Sequence, residues 1–239
     1  MGSAKRIFRK MNAKEIIKEL RSHKNQKNIE GMKRFGIIGK EVIGWPSVPA
    51  MRKWGKELGP DHELAQELWD SGIHEARIIA GFTEDPKTIK EKQMDLWVND
   101  FDSWDMCDLI CSGLFDRSEY SEKKILEWTQ SQKEFVRRAG FVLICAKTVH
   151  DKKAPNSEFT KYFPLIKKYC TDERNFVRKA VNWSLRQIGK RNYILNKKAI
   201  KIAEELKKTN SKSARWIANN ALKELTDKKT ISRFIKQSL

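Results

Sequence analysis

The chain has 239 residues, 39% hydrophobic and 33% charged, a length that suits one large domain or two small ones. Its eight Trp and eleven Phe exclude a disordered chain, and its few Gly and Pro argue against a loop-rich all-β fold. No apolar run approaches the roughly 18 residues that span a bilayer. The formal net charge is +18, which favours a polyanionic partner.

Charge is distributed unevenly along the chain. Residues 1–40, 133–189 and 190–239 carry net charges of +9, +8 and +10, whereas residues 41–132 carry −9. Release of condensed counterions would favour binding of a polyanion to the basic parts. The alternative is a generic lysine-rich surface without a specific partner.

Apolar residues recur with a helical period almost throughout the chain. The pattern predicts helices over Ala13–Ser22, Glu63–Trp69, Lys161–Tyr169, Phe176–Ile188, Lys197–Leu206 and Ser213–Leu225. Breaks are predicted at Trp45-Pro46, Gly59-Pro60, Asp85-Pro86, Ala154-Pro155 and Thr209-Asn210. Because no alternating run of useful length predicts a strand, we expect an all-α protein.

The helical pattern contains an internal echo. Glu134–Ala139 resembles Asn175–Ala180, 41 residues later, Ser213–Ala218 is a looser copy, and His74–Ala80 is a candidate earlier one. Helical repeats of about 40 residues are typical of HEAT or armadillo-like units, which bury their faces by stacking on neighbours. We therefore expect an α-solenoid in a single domain over residues 1–239, with a basic helix within residues 1–30 and a basic concave face.

Each echo carries a basic residue shortly before a small apolar one. One interpretation is that these arginine stems cover the core of the next repeat. The other is that they form a basic row on the concave face, which the pairs Arg137-Arg138 and Arg178-Lys179 favour.

The spacing of the cysteines is typical of neither disulfide bonds nor metal ligands. Cys107, Cys111, Cys145 and Cys170 form no CxxC pair, and the four histidines lack zinc spacing. We expect four reduced, packed thiols in a reducing compartment, and hence a cytoplasmic protein.

Residues 100–108 hold four acids and two aromatic residues in nine positions. Trp104 and Asp108 are four residues apart and share a helix face. A purely structural interpretation makes Asp102 and Asp105 capping residues, Trp104 a core residue and Asp108 a solvated one. In either case Asp105 is expected to supply at most a cap or a surface interaction.

Five motifs together carry a family resemblance. In chain order they are Ser47-Val48-Pro49-Ala50-Met51-Arg52, Glu67-Leu68-Trp69-Asp70, Ser103-Trp104-Asp105-x-x-Asp108, Phe135-Val136-Arg137-Arg138-Ala139 and Phe176–Arg186. In this order and spacing they resemble the bacterial DNA alkylation repair family of HEAT-like-repeat DNA glycosylases, the AlkD type. The resemblance runs from about residue 30 to the C-terminus. One departure is Ser103, where the family often has a second aromatic residue, and another is a shorter stretch between Asp108 and Arg138.

The resemblance implies an active cleft made by Trp104, Asp108, Arg138 and Trp183. It also implies excision of cationic N3- and N7-alkylated purines, such as 3-methyladenine and 7-methylguanine, from duplex DNA. The implied enzyme is a nucleoid-associated monomer that needs no metal or cofactor and does not flip the base. The candidate DNA contacts are Ser47, Arg52, Arg137, Lys179, Arg186, Lys190 and Arg191. The alternatives are a non-catalytic DNA-binding or scaffold protein and an adaptor for an acidic protein.

Overall fold

The computed structural model describes residues 11–237, which form α-helices joined by short loops. The first ten residues of the predicted basic N-terminal segment lie outside the described residues. Within the described range the only β-type pairing is an isolated bridge between Glu41 and Ile73. This confirms the predicted all-α class. No helix in that range is long and apolar enough to cross a membrane.

The chain divides into two compact units, the first comprising residues up to 94 together with 102–118. Its helices are α1 (Ala13–Ser22), α2 (Gln26–Arg34), α3 (Val48–Leu58), α4 (His62–Asp70), α5 (His74–Thr83), the start of α6 (Glu91–Asn99) and α7 (Trp104–Gly113), followed by a 3-10 turn at Phe115–Arg117. Helix α5 is at the centre of this unit, packs on α3, α4 and α7, and is buried along almost its whole length.

The second unit comprises residues 95–101 and those from 119 onward. Its helices are α8 (Ser121–Trp128), α9 (Glu134–His150), α10 (Ser157–Thr160), α11 (Phe163–Tyr169), α12 (Asn175–Gly189), α13 (Tyr193–Lys207), α14 (Lys212–Leu225) and α15 (Lys228–Gln237). Its most buried helix, α9, packs on α8 and α12, and α12 packs in turn on α13 and α14.

Short polar side chains begin several helices. Asn12 accepts a hydrogen bond from the Glu15 N–H while the Glu15 carboxylate accepts one from the Asn12 N–H, which is a capping box. Helices α4, α13 and α14 are capped by a single hydrogen bond each, which a side-chain oxygen of Asp61, Asn192 or Ser211 accepts from a backbone N–H. All the predicted breaks fall between helices, and each predicted helix is present.

The echo copies occupy equivalent places in the fold. His74, Glu134 and Asn175 are the first residues of α5, α9 and α12. Consecutive copies also contact each other, since the Phe135 and Phe176 rings lie 5.3 Å apart and the Phe176 N–H donates to the Glu134 carboxylate. The echo therefore marks the starts of corresponding helices, as the repeat interpretation predicts.

The four cysteines are buried thiols that form no disulfide, as predicted. Two of them, Cys107 and Cys111, belong to the buried face of α7.

Two glycines give a matched test of this packing. A Cβ at Gly140, in α9, would lie 2.6 Å from the Thr129 backbone N at the end of α8, whereas a Cβ at Gly31, in α2, would meet no atom within 4 Å. We expect Gly140→Ala to destabilise the protein by about 2 kcal/mol or more. Gly31→Ala should instead stabilise it by roughly 0.5–1 kcal/mol, because alanine is the better helix former. Urea unfolding measures both changes, and a similar loss in both variants would contradict the close approach at Gly140.

Candidate functional site

Helix α7 places the predicted Trp104 and Asp108 in the first unit. Trp104 is the first residue of this helix, and its indole Nε1–H donates a hydrogen bond to the Phe35 carbonyl oxygen at 2.9 Å. Asp108 lies one turn later and, like Trp104, is half-buried. The start of α7 thus presents one fixed aromatic side chain and one carboxylate from the same helix face.

Asp105 does more than the expected cap or surface contact, and that expectation is wrong. Its carboxylate lies 2.9 Å from Nε2 of His74, the first residue of α5. His74 is only 1% exposed. The ion pair therefore joins the first turn of α5 to the first turn of α7, directly beside Trp104.

The two partners change each other's pKa. Burial alone would lower the pKa of His74, but the hydrogen bond and charge of Asp105, with the charges of Glu75 and Asp102, raise it. Burial would likewise raise the pKa of Asp105, yet His74 lowers it. The contact therefore favours the protonated form of His74 and the ionised form of Asp105.

Glu75, the second residue of α5, is a buried carboxylate that no sequence motif indicates as part of a site. One of its oxygens accepts from the Ile43 N–H at 2.9 Å and the other from the Gly44 N–H at 2.7 Å. It thereby fixes the chain segment before α3 against the start of α5. The echo at His74–Ala80 was the only sequence signal near these groups.

A cavity of about 980 Å³ opens beside this cluster within the first unit. Aromatic side chains of Phe35, Trp45 and Trp104 contribute to its lining. The polar residues that line it include Lys27, Arg34, Ser47, His74, Glu75 and Asp105. Ser47, a predicted DNA contact, is exposed at the N-terminus of α3.

Arg138 and Trp183 lie in the second unit. Arg138 is only 5% exposed, and its Nη1 donates to the Phe176 carbonyl oxygen at 2.7 Å, which ties α9 to the first turn of α12. Trp183 is half-buried on α12. Lys179 and Arg186 lie four residues before it and three after it, and so share its helix face.

Most of the predicted cationic DNA contacts are engaged within the protein. Arg137 is buried, pairs with Asp172 at 2.6 Å and lies over the Tyr169 ring. Arg186 and Lys190 both pair with Glu224. Arg191 donates to two backbone carbonyl groups and lies over Phe159.

Two of the predicted cationic contacts remain exposed. Lys179 is exposed on α12, and Arg52 is exposed on α3 with its guanidinium 5.2 Å from the Phe82 ring centre. Together with Ser47, these are the candidates that a phosphate can reach without loss of one of these internal ion pairs or hydrogen bonds.

The echo arginines follow the first of the two interpretations. Arg77 stacks on Trp69, Arg137 on Tyr169 and Arg178 on Trp216, with 4.5–5.3 Å between guanidinium and ring centre. These contacts join α5 to α4, α9 to α11 and α12 to α14. These three positions therefore do not form a continuous row of free arginines.

The family model for DNA alkylation repair enzymes matches residues 16–225. The chain belongs to this family. No curated protein sequence matches the chain.

Two solved structures share the fold of this DNA alkylation repair protein. One is described as a new family of proteins related to the HEAT-like repeat DNA glycosylases with affinity for branched DNA structures. It has 22% identity and a TM-score of 0.73 over 90% of this chain and 96% of that one. The other is AlkD2 from Streptococcus mutans, with 20% identity and a TM-score of 0.57 over 84% of this chain and 99% of that one. The HEAT-like solenoid class predicted from the echo is thereby confirmed.

The His74–Asp105 pair makes stability depend on pH. A His whose pKa is raised by folding contributes stability below its unfolded pKa of about 6.5 and loses that contribution as the pH rises through the folded pKa. Breaking a buried pair by removing one charge costs about 3 kcal/mol or more. We therefore expect Asp105→Asn to destabilise this repair protein most near pH 6 and less at pH 9.

Urea unfolding at the two pH values measures this change. Glu67→Gln, on the exposed face of α4, removes the same charge without a buried partner. A loss in Asp105→Asn that is as small as in this control, or equal at both pH values, would exclude the ion pair as its cause.

Proposed function

We propose that this protein is a DNA glycosylase that hydrolyses the N-glycosidic bond of cationic N3- and N7-alkylated purines in duplex DNA. Membership of the DNA alkylation repair enzyme family supports a role in repair of alkylated DNA. The observation that carries the finer proposal is the start of α7, where Trp104 is held by the Phe35 carbonyl group and Asp108 follows on the same face.

The chemistry explains why so few groups suffice. An N3- or N7-alkylated purine is already cationic, so its departure needs no general acid, unlike hydrolysis of ordinary glycosides by paired carboxylates. As the C1′–N bond breaks, its electron pair neutralises the base and positive charge develops on the sugar. Asp108 stabilises that charge and orients the water that attacks C1′, and the proton of this water passes to the carboxylate or to solvent.

The remaining residues support this step. Trp104 offers its ring to the deoxyribose and favours the developing cation. The resemblance assigns a further contact with the DNA to Trp183, which lies in the second unit. Because Arg138 is buried and bound to the Phe176 carbonyl group, we assign it to positioning α12 rather than to a phosphate. Exposed Lys179, Arg52 and Ser47 are the proposed backbone contacts.

A second candidate function is binding of branched DNA without catalysis. It is favoured by the neighbour with affinity for branched DNA structures and by the internal pairing of several cations. Incubation of the protein with methylated duplex DNA separates the two functions. Release of 7-methylguanine supports the glycosylase, whereas tight binding to a DNA junction with no release supports the second function.

We expect Asp108→Asn to reduce excision by roughly 10²-fold or more, because it removes the charge that faces the developing sugar cation. DNA affinity should stay equal or rise, since a negative charge has left a DNA-binding surface. Single-turnover release of 7-methylguanine and a binding titration measure the two effects.

Glu67→Gln is the matched control for Asp108→Asn, because it removes one exposed negative charge from another helix. Asp105→Asn is not matched, since it also breaks the pair with His74. If the Asp108→Asn variant released 7-methylguanine as fast as the wild-type protein, the role assigned to this carboxylate would be refuted.

Substrate charge should decide which lesions are excised. We expect release of 3-methyladenine and 7-methylguanine but not of uracil, because a neutral base is a poor leaving group without a general acid. Duplexes that differ only in the lesion provide the comparison. Efficient release of uracil would show that the enzyme protonates the leaving base, and the proposed mechanism would be wrong.

A further inference from the structure

The loop that follows α2 exposes two large apolar side chains. Phe35 is 72% exposed and Ile38 is 67% exposed, the highest values for large hydrophobic residues in the part of the chain that the structure describes. Single exposed apolar residues are common on protein surfaces, but two on one short loop form a local apolar tip. Residues 35–40 are called the tip loop below.

The tip loop is anchored at several points. Ile37, between the two exposed residues, is buried and its N–H donates to the Met32 carbonyl oxygen at 3.1 Å. Gly36 has φ of +81°, a left-handed conformation that favours glycine. The tip therefore has a fixed shape, so little conformational entropy is lost when it binds a partner.

Cations flank this apolar tip along the chain. Residues 24–40 contain five Lys and Arg residues and a single acid, Glu30. Lys33, Arg34 and Lys40 are exposed beside the tip. This combination favours DNA over an apolar protein surface, because DNA-bending proteins insert an apolar side chain between bases while cations bind the flanking phosphates.

The tip loop is also attached to the candidate active residues. The Phe35 carbonyl group accepts the Trp104 indole hydrogen bond. A Cβ at Gly39 would lie 3.1 Å from the Asp102 carboxylate, so the far end of the loop packs closely on the residues before α7. Phe35 and Trp104 line the same cavity. DNA held at Trp104 would therefore lie beside the tip.

We propose that the tip loop is a wedge that inserts Phe35 into the base stack of duplex DNA, with Ile38 supporting it and Lys33, Arg34 and Lys40 on the phosphates. Only the placement of the wedge next to the lesion depends on the proposed function. Insertion costs a few kcal/mol of stacking at an intact step and less where stacking is already lost. The wedge therefore favours duplexes with a gap in the stack, such as an abasic site.

A binding experiment without chemistry tests the wedge. The probe is a duplex with a tetrahydrofuran abasic analogue, which cannot be excised, and 2-aminopurine as the adjacent base. Wild-type protein should raise the 2-aminopurine fluorescence, because the wedge unstacks that base. Phe35→Ser should abolish most of this rise and weaken binding about tenfold or more, as expected for loss of one buried aromatic side chain. Ile38→Ser should have a smaller effect in the same direction.

The matched control is Leu96→Ser, which removes an apolar side chain that is 59% exposed on α6, outside the tip loop. It should leave both readouts unchanged. The ratio of the wild-type and Phe35→Ser dissociation constants should be the same at low and moderate salt, because an apolar contact is not screened. Circular dichroism verifies that the variants fold.

The wedge is refuted if Phe35→Ser matches wild type on the abasic duplex, or if its loss is no larger than that of Leu96→Ser. Either result would show that Phe35 does not enter the base stack. Release of 7-methylguanine, assayed separately, distinguishes the two proposals. Unstacking without base release would refute the glycosylase and leave the wedge, whereas base release without unstacking would refute the wedge alone.

Discussion

A buried ion pair between His74 and Asp105 joins the first turns of α5 and α7. The two charges differ in how well they suit a helix N-terminus. The α7 dipole favours the Asp105 carboxylate, but the α5 dipole opposes a protonated imidazole at His74. Burial lowers the pKa of His74, and Asp105, with Glu75 in the first turn of α5, raises it against that effect. The position of Trp104, one residue before Asp105, depends on the same pair.

This arrangement gives the candidate site rigidity from groups that touch no substrate. Trp104 is held from one side by the Phe35 carbonyl group and from the other by the ion pair beside it. Glu75 fixes the preceding loop through backbone N–H groups. Asp108 thus extends from a helix whose first turn is held by the Trp104 hydrogen bond and the His74–Asp105 pair, which is the preorganisation that electrostatic catalysis requires.

Sequence patterns predicted the helices well and the polar contacts poorly. Periodicity and short capping residues are local, so α1 was predicted with its observed bounds. Helix α13 begins at Tyr193, four residues before the predicted start, because Asn192 caps it there while the apolar period becomes regular only later. The motif around Trp104 and Asp108 pointed to α7, but the partner of Asp105 is 31 residues away and no periodicity reveals it.

The cations illustrate the same limit. A count of charges suggested many free arginines and lysines, yet Asp172 and Glu224 lie far from Arg137, Arg186 and Lys190 in sequence and next to them in the fold. Only the structure separates the exposed cations from the paired ones. By contrast, the two exposed apolar residues of the tip loop carried no pattern of their own in the sequence, because exposure is decided by packing.

The stacking of echo arginines on aromatic rings also bears on how such a protein can evolve. In the second unit, Arg137 of α9 lies over Tyr169, and Arg178 of α12 lies over Trp216 of α14. In these two cases the ring that stacks on the arginine is supplied by a later part of the chain. In consensus repeat arrays, by contrast, one unit can replace another because the junctions are uniform. A repeat duplicated or exchanged here would face a neighbour without the matching ring and would bury an unstacked guanidinium. The order of these repeats is thus fixed by their junctions, and the number of repeats cannot change by simple duplication.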